Sequence, residues 1–188
     1  FGRSGRVSLI AFESRARMGL LDTAVQRAES TGAPIDIAAV RRYRSRFGAS
    51  IGLEQSVADG IGIFARIGKT AGNVETYEFT DADRSVSVGV SIDGRRWRRT
   101  GDTIGVAAAV NGISAARERF LAAGGLGLLV GDGRLPHPGT ERILETYYQA
   151  ALGGHTHVAI DYQLIENPGY NRDRGPASVF AVRLHLDF

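Results

Sequence analysis

Cysteine is absent from the 188 residues, which excludes a disulfide scaffold and a Cys-ligated metal site. That absence permits an oxidising compartment without requiring one. No run approaches the ~18 apolar residues of a membrane helix. Membrane-crossing strands escape that criterion, because they alternate. No signal peptide is visible and Phe1 is not a start residue, as expected of a mature form or a fragment. Net charge is only +3. The arginine clusters Arg41, Arg42, Arg44, Arg46 and Arg95, Arg96, Arg98, Arg99 read as a solvated rim rather than a nucleic-acid surface. What is abundant is glycine, 25 of 188 residues, about twice ordinary usage, which argues against a helical bundle. The length fits one domain or part of one.

What the chain has instead is period-2 alternation. In Ala177–Phe188, Ser178, Phe180, Val182, Leu184, Leu186 and Phe188 share a face. Val179, Ala181, Arg183, His185 and Asp187 share the other. Successive strand side chains point to opposite sides, so the segment has one apolar and one largely polar face. Arg42–Glu54 sets Tyr43, Phe47, Ala49, Ile51 and Leu53 against Arg42, Arg44, Arg46, Gly48, Ser50, Gly52 and Glu54. Gly60–Gly68 sets Ile61, Ile63, Ala65 and Ile67 against Phe64 and Arg66. Arg84–Ile92 alternates Val86, Val88, Val90 and Ile92 with serines and Gly89, and Thr103–Asn111 behaves alike. Ile143–Ala150 and His157–Leu164 complete the pattern. In Val7–Met18 we expect Ile10, Phe12, Ala16 and Met18 on the apolar face, and Glu13, Arg15 and Arg17 with Leu9 and Ala11 on the other. Val74–Phe79 also alternates and is expected to extend a neighbouring strand.

The expected fold is all-β: about eight strands of an antiparallel up-and-down transmembrane barrel, each near the ~9–11 residues that cross an outer membrane at a tilt. Tight turns are expected at Asp59-Gly60, Asp93-Gly94 and Gly153-Gly154, alternating with long connections such as Gly19–Val40. Brief periplasmic turns and long external loops are the rhythm of such barrels. Ser114–Ala123 reads as a short helix capped by Ser114. Gly124–Gly133 belongs to an external loop that either folds inward or caps the outside. A soluble sandwich is the alternative architecture, with its apolar rows buried against each other.

A hydrated lumen needs groups that exchange hydrogen bonds with a permeating solute. Solute hydroxyls both donate and accept, so arginines, carboxylates and flat aromatics suit a hydroxyl-rich solute. The candidate pore-lining residues are Glu13, Arg15, Arg17, Arg44, Arg46, Glu54 and Arg66, with Glu145, Tyr147, Gln149, Asp161, Arg183 and His185. The bland alternative is that such residues pair with each other and hold the wall. Three motifs are set aside. Gly60–Ala65 matches a loose dinucleotide fingerprint but lies in an alternating strand. His155 and His157 lack a third metal ligand in sequence. Glu145 and Asp161 could form a carboxylate pair, but no nucleophile elbow accompanies them.

An ordered series of stretches resembles the carbohydrate-selective porin family of the OprB type. These are Leu53–Lys69, Phe79–Gly94, the Trp97 turn with Asp102, Asn111–Ser114, Ala122–Leu135, Ile143–Gln149 and the closing NPGYNRDRGPASVFAVRLHLDF. The resemblance covers nearly everything after Leu53 and implies a single-chain barrel of sixteen strands, of which this chain is the C-terminal half. It implies passive, selective diffusion of small carbohydrates across a Gram-negative outer membrane, by a channel rather than an enzyme. The implied partners are sugars and outer-membrane lipid, in a monomer or homotrimer with no cofactor, metal or nucleic acid. A small outer-membrane barrel enzyme, a hydrolase or acyltransferase, and a soluble carbohydrate-binding sandwich are the alternatives.

Overall fold

The computed structural model describes residues 2–77, 81–127 and 134–187. The strands are β1 (Gly5–Met18), β2 (Arg42–Ala58), β3 (Ile61–Thr70), β4 (Arg84–Asp93), β5 (Thr103–Gly112), β6 (Glu141–Ala151), β7 (Thr156–Glu166) and β8 (Ala177–Leu186). They form one antiparallel sheet in the order of the chain, each strand paired with its successor. β1 and β8 are the two edges of the sheet. The strands form where the sequence alternates, because only an extended backbone puts every second side chain on one face. β2 runs four residues past the expected Glu54, absorbing a bulge between Ser56 and Ala58 before the two-residue Asp59-Gly60 turn. Gly60 sits at φ 68, where a Cβ would be strained.

Connections differ sharply between the two ends. One end carries only 59–60, 94–102 and 152–155. The other carries 19–41, 71–83, 113–140 and 167–176. Short periplasmic turns and long external loops fix which end is which.

The apolar core of the described residues lies not in the sheet but among the long loops. Helix α1 (Leu21–Thr31) packs on helix α2 (Ala115–Ala122), burying Leu21 and Ala24 with Ile113, Ala116, Phe120, Leu121, Leu135 and Tyr170. α2 is the expected helix, and the Ser114 hydroxyl accepts from the Arg117 N–H at 3.1 Å. α1 falls where the sequence suggested only a long connection. Val74 makes a single bridge to Leu20 rather than starting a strand, and the end of the Val74–Phe79 stretch lies outside the described residues.

Burial runs opposite to that of a water-soluble sheet. On β4, Val86 and Val88 are 48% and 49% exposed while Ser85, Ser87 and Gly89 between them are half-buried. On β8, Phe180 and Val182 are 78% and 76% exposed. A sandwich would bury these rows against a second layer; among the described residues nothing covers them.

Register corrects the faces of β1. Glu13 pairs with Phe47, Arg15 with Ser45 and Arg17 with Tyr43, so all three lie on the apolar face, not on the polar face expected for them. Directly paired residues of adjacent strands share a face. Phe12 is instead on the polar face. Its ring lies 2.4 Å from where a Cβ of Gly48 would be, so only glycine leaves it room. The lower half of β1 is apolar on both faces, and its alternation alone could not decide.

Candidate functional site

The polar face of the sheet is the candidate site. Arg44, Arg46, Glu54, Arg66, Glu145, Tyr147, Gln149, Asp161, Arg183 and His185 share it, carried there by consecutive antiparallel pairings. Sharing a face does not give them equal access to solvent. Arg46 is 1% exposed and sits under the connection 71–83. Its Nε donates to the Ala71 carbonyl at 3.2 Å, its Nη2 to Thr70 Oγ1 at 2.6 Å, and Asp83 lies 3.7 Å away. As a pore-lining group it is therefore a correction: it ties the loop to the sheet.

Arg117 and Asp83 extend that tie. Arg117 is 3% exposed, with Nε 3.1 Å from Asp83 Oδ2 and Nη1 2.9 Å from Asp81 Oδ1. Asp83 Oδ2 also accepts from the Ser114 N–H at 2.8 Å. Two of the family-like stretches, Phe79–Gly94 and Asn111–Ser114, thus meet in one clamp that fixes α2 over the external end of the sheet.

Further down the face the groups are accessible. Arg66 Nη2 lies 3.4 Å from Glu54 Oε1, and its guanidinium carbon sits 5.1 Å from the Phe64 ring centre. With Arg6, Gln55 and Ser91 they border a groove of about 410 Å³. Phe64 lies across Gly89, and Tyr147 across Gly105, where a Cβ would meet ring atoms at 2.4 and 2.2 Å. The glycines let both rings lie flat on the wall, and pairing such a ring with a glycine also covers exposed backbone. Gln163 Nε2 donates to Glu145 Oε2 at 3.1 Å, with Asp161 diagonal to it, opposite Tyr147. His185 pairs with His157 across β7 and β8, and its Nε2 is 2.8 Å from Asp187 Oδ1.

Nearer the mouth, Arg44 joins Arg27, Arg42, Gln26, Ser30 and Thr31 around a second cavity of about 570 Å³ beneath α1. Its Nε is buried without a hydrogen-bond partner among the described residues. The alternation marked Phe64 as a polar-face residue without marking its role; the signal was the glycine that register sets opposite it. Arg6, Arg27 and Gln163 were missed, since no periodic pattern distinguishes a solvated arginine from one bordering a cavity. The Gly124–Gly133 loop lies largely outside the described residues, as does Phe188.

Among curated proteins no sequence match is found. Among solved structures, the chain resembles OprB of Pseudomonas putida, determined at high pH, with a TM-score of 0.77 and 22% identity. That alignment covers 100% of this chain and 45% of the other, so this chain spans under half the length of the protein it resembles. The likeness shows the fold. The family follows from the sequence: the description of the carbohydrate-selective porin, OprB family matches residues 3–188, and the chain belongs to that family of the bacterial outer membrane.

Proposed function

We propose that the chain is the C-terminal half of a larger barrel whose polar wall lets small sugars diffuse passively, by a channel mechanism without catalysis. The single observation that carries this is the inverted burial, with aliphatic rows exposed and serine, glycine and carboxylate rows sheltered on the opposite face. That distribution suits lipid outside and water inside. The remaining strands of the barrel come from the part of the protein beyond this chain.

Sugar selectivity rests on the accessible stretch of wall. The Glu54–Arg66 pair offers acceptors and donors side by side, and Phe64 and Tyr147 offer flat faces for the apolar side of a sugar ring. Both groups of the pair are about half exposed, so little desolvation opposes their engaging a solute. Of the proposed pore-lining residues, Glu54, Arg66, Glu145, Tyr147, Gln149, Asp161, Arg183 and His185 keep that role, with Arg44 at the mouth. The full-length protein in liposomes should admit small neutral sugars faster than a paired Glu54→Gln/Arg66→Gln variant, at unchanged salt conductance. Equal sugar flux in both would remove the pair from selectivity. Absence of sugar-dependent swelling, or turnover of an ester or glycoside, would overturn the reading.

A further inference from the structure

The apolar face carries an arrangement that sugar passage does not use. Its charged residues all lie at the long-loop end. Arg15 and Arg17 end β1, Lys69 ends β3, Arg84 opens β4, and Arg142 opens β6. All five are exposed. At the turn end the same face ends in Gln55, Ile61, Ile92, Ile104, Ala150, Thr156 and Leu186, none charged. A merely solvated rim would not need such one-sidedness.

Lys69, the chain's single lysine, is paired directly opposite Arg84. Like charges set opposite each other across two strands repel. Among the described residues neither side chain has a carboxylate partner. The two acids on this face are engaged elsewhere: Glu13 accepts from the Ser45 hydroxyl, and Glu166 lies 3.5 Å from Arg142. Arg84 leans across Gly112, where a Cβ would come within 2.5 Å of its Nε, toward the strand that carries Arg142. Immediately below are Ile67, Ala65 and Ile63 on β3 and Val86, Val88 and Val90 on β4. A cation pair directly above an aliphatic band is at headgroup depth, where long basic side chains reach up from apolar surroundings.

We propose that Lys69 and Arg84, with Arg142 beside them, form a binding site for the phosphate groups of outer-leaflet lipid, with Arg15 and Arg17 extending it along β1. A phosphate between Lys69 and Arg84 turns their repulsion into two charge-assisted contacts. The inference rests on the outer-membrane placement and not on the sugar reading; sugar flux could fail while lipid binding stands.

The test uses the full-length protein in phosphatidylcholine nanodiscs, with bisphosphorylated lipid A or its dephosphorylated form as probes. The wild type should retain the phosphorylated lipid preferentially. Each cation removed should weaken that retention about fivefold, so Lys69→Gln/Arg84→Gln should lose it roughly 25-fold. Arg98→Gln, an exposed cation in the 94–102 connection at the opposite end, should leave it unchanged. Equal retention of the two lipids by the wild type would overturn the proposal whether or not any variant assembles. Full preference in the folded double variant would do the same.

Discussion

Arg117 shows how one side chain can hold a loop region whose apolar core is small. It is a buried cation whose neutralising partners, Asp83 and Asp81, come from a different connection. Removing one partner of a buried pair leaves the other charge stranded, which typically costs 3–5 kcal/mol. Arg46 stays 3.7 Å from Asp83, so Arg117→Met should cost about 3 kcal/mol, the low end of that range. Loop proteolysis should accelerate before the strands melt. Arg117→Lys should not rescue it, since an ammonium cannot reach both carboxylates with a planar fork. At the opposite end Asp102, 2% exposed, does similar work in the turn that carries Trp97. Arg99 and then the Tyr148 hydroxyl hold its carboxyl down at about 2, with the Ala151 N–H helping and desolvation opposing. The folded pKa is depressed, so the stabilisation is complete above the ordinary value of 3.8 and is lost as pH falls toward 2. The gap in unfolding temperature between wild type and Asp102→Asn should therefore narrow across that window. A gap constant with pH would show that the carboxylate's charge does not matter.

Elements were legible where one physical signal acted alone. From β2 to β8 a lipid-like and a water-like side alternate without conflict, so the sequence marks strands, faces and short turns together. β1 fails because Val7, Leu9 and Ala11 face one way while Ile10 and Phe12 are also apolar; only pairing with β2 decides. Helix α1 was hidden for another reason. Its N-cap is Leu20, with no side-chain cap bond, so the usual start signal is missing, and only Gly32 at φ 67 marks its end. In the site, Arg44 and Arg46 share the same pattern in sequence. A loop distant in sequence buries one and leaves the other facing a cavity, which no local reading can separate. The β1 assignment is open to direct trial. In the full-length protein in detergent, Ser14→Cys should react with a small water-soluble thiol reagent while Ala11→Cys is shielded by the apolar belt. The reverse order would return Glu13, Arg15 and Arg17 to the polar face.

At the scale of the molecule, the sheet has two unsatisfied edges. Among the described residues, β1 and β8 each leave a row of backbone N–H and C=O groups without a neighbouring strand, which hydrocarbon does not tolerate. Either the edges meet each other, closing a small barrel, or further strands lie between them. A barrel of eight strands has an interior that side chains fill, leaving little room for a solute. The polar face here carries Gly48, Gly52, Gly62, Gly68, Gly89 and Gly105, too little bulk to fill such an interior. It also carries Arg66, Glu145 and Arg183, which would be forced together in a dry centre. A wide, water-filled lumen satisfies both observations, and the larger barrel proposed above would supply it. Refolded alone into liposomes, the chain should give no sugar-selective swelling and no uniform conductance. Refolded together with the remaining strands of its parent protein, supplied as a separate chain, it should regain both. A uniform small conductance from this chain alone, with cross-linking between cysteines placed at Leu9 on β1 and Val182 on β8, both on the apolar face, would show the edges meeting and would exclude the larger barrel.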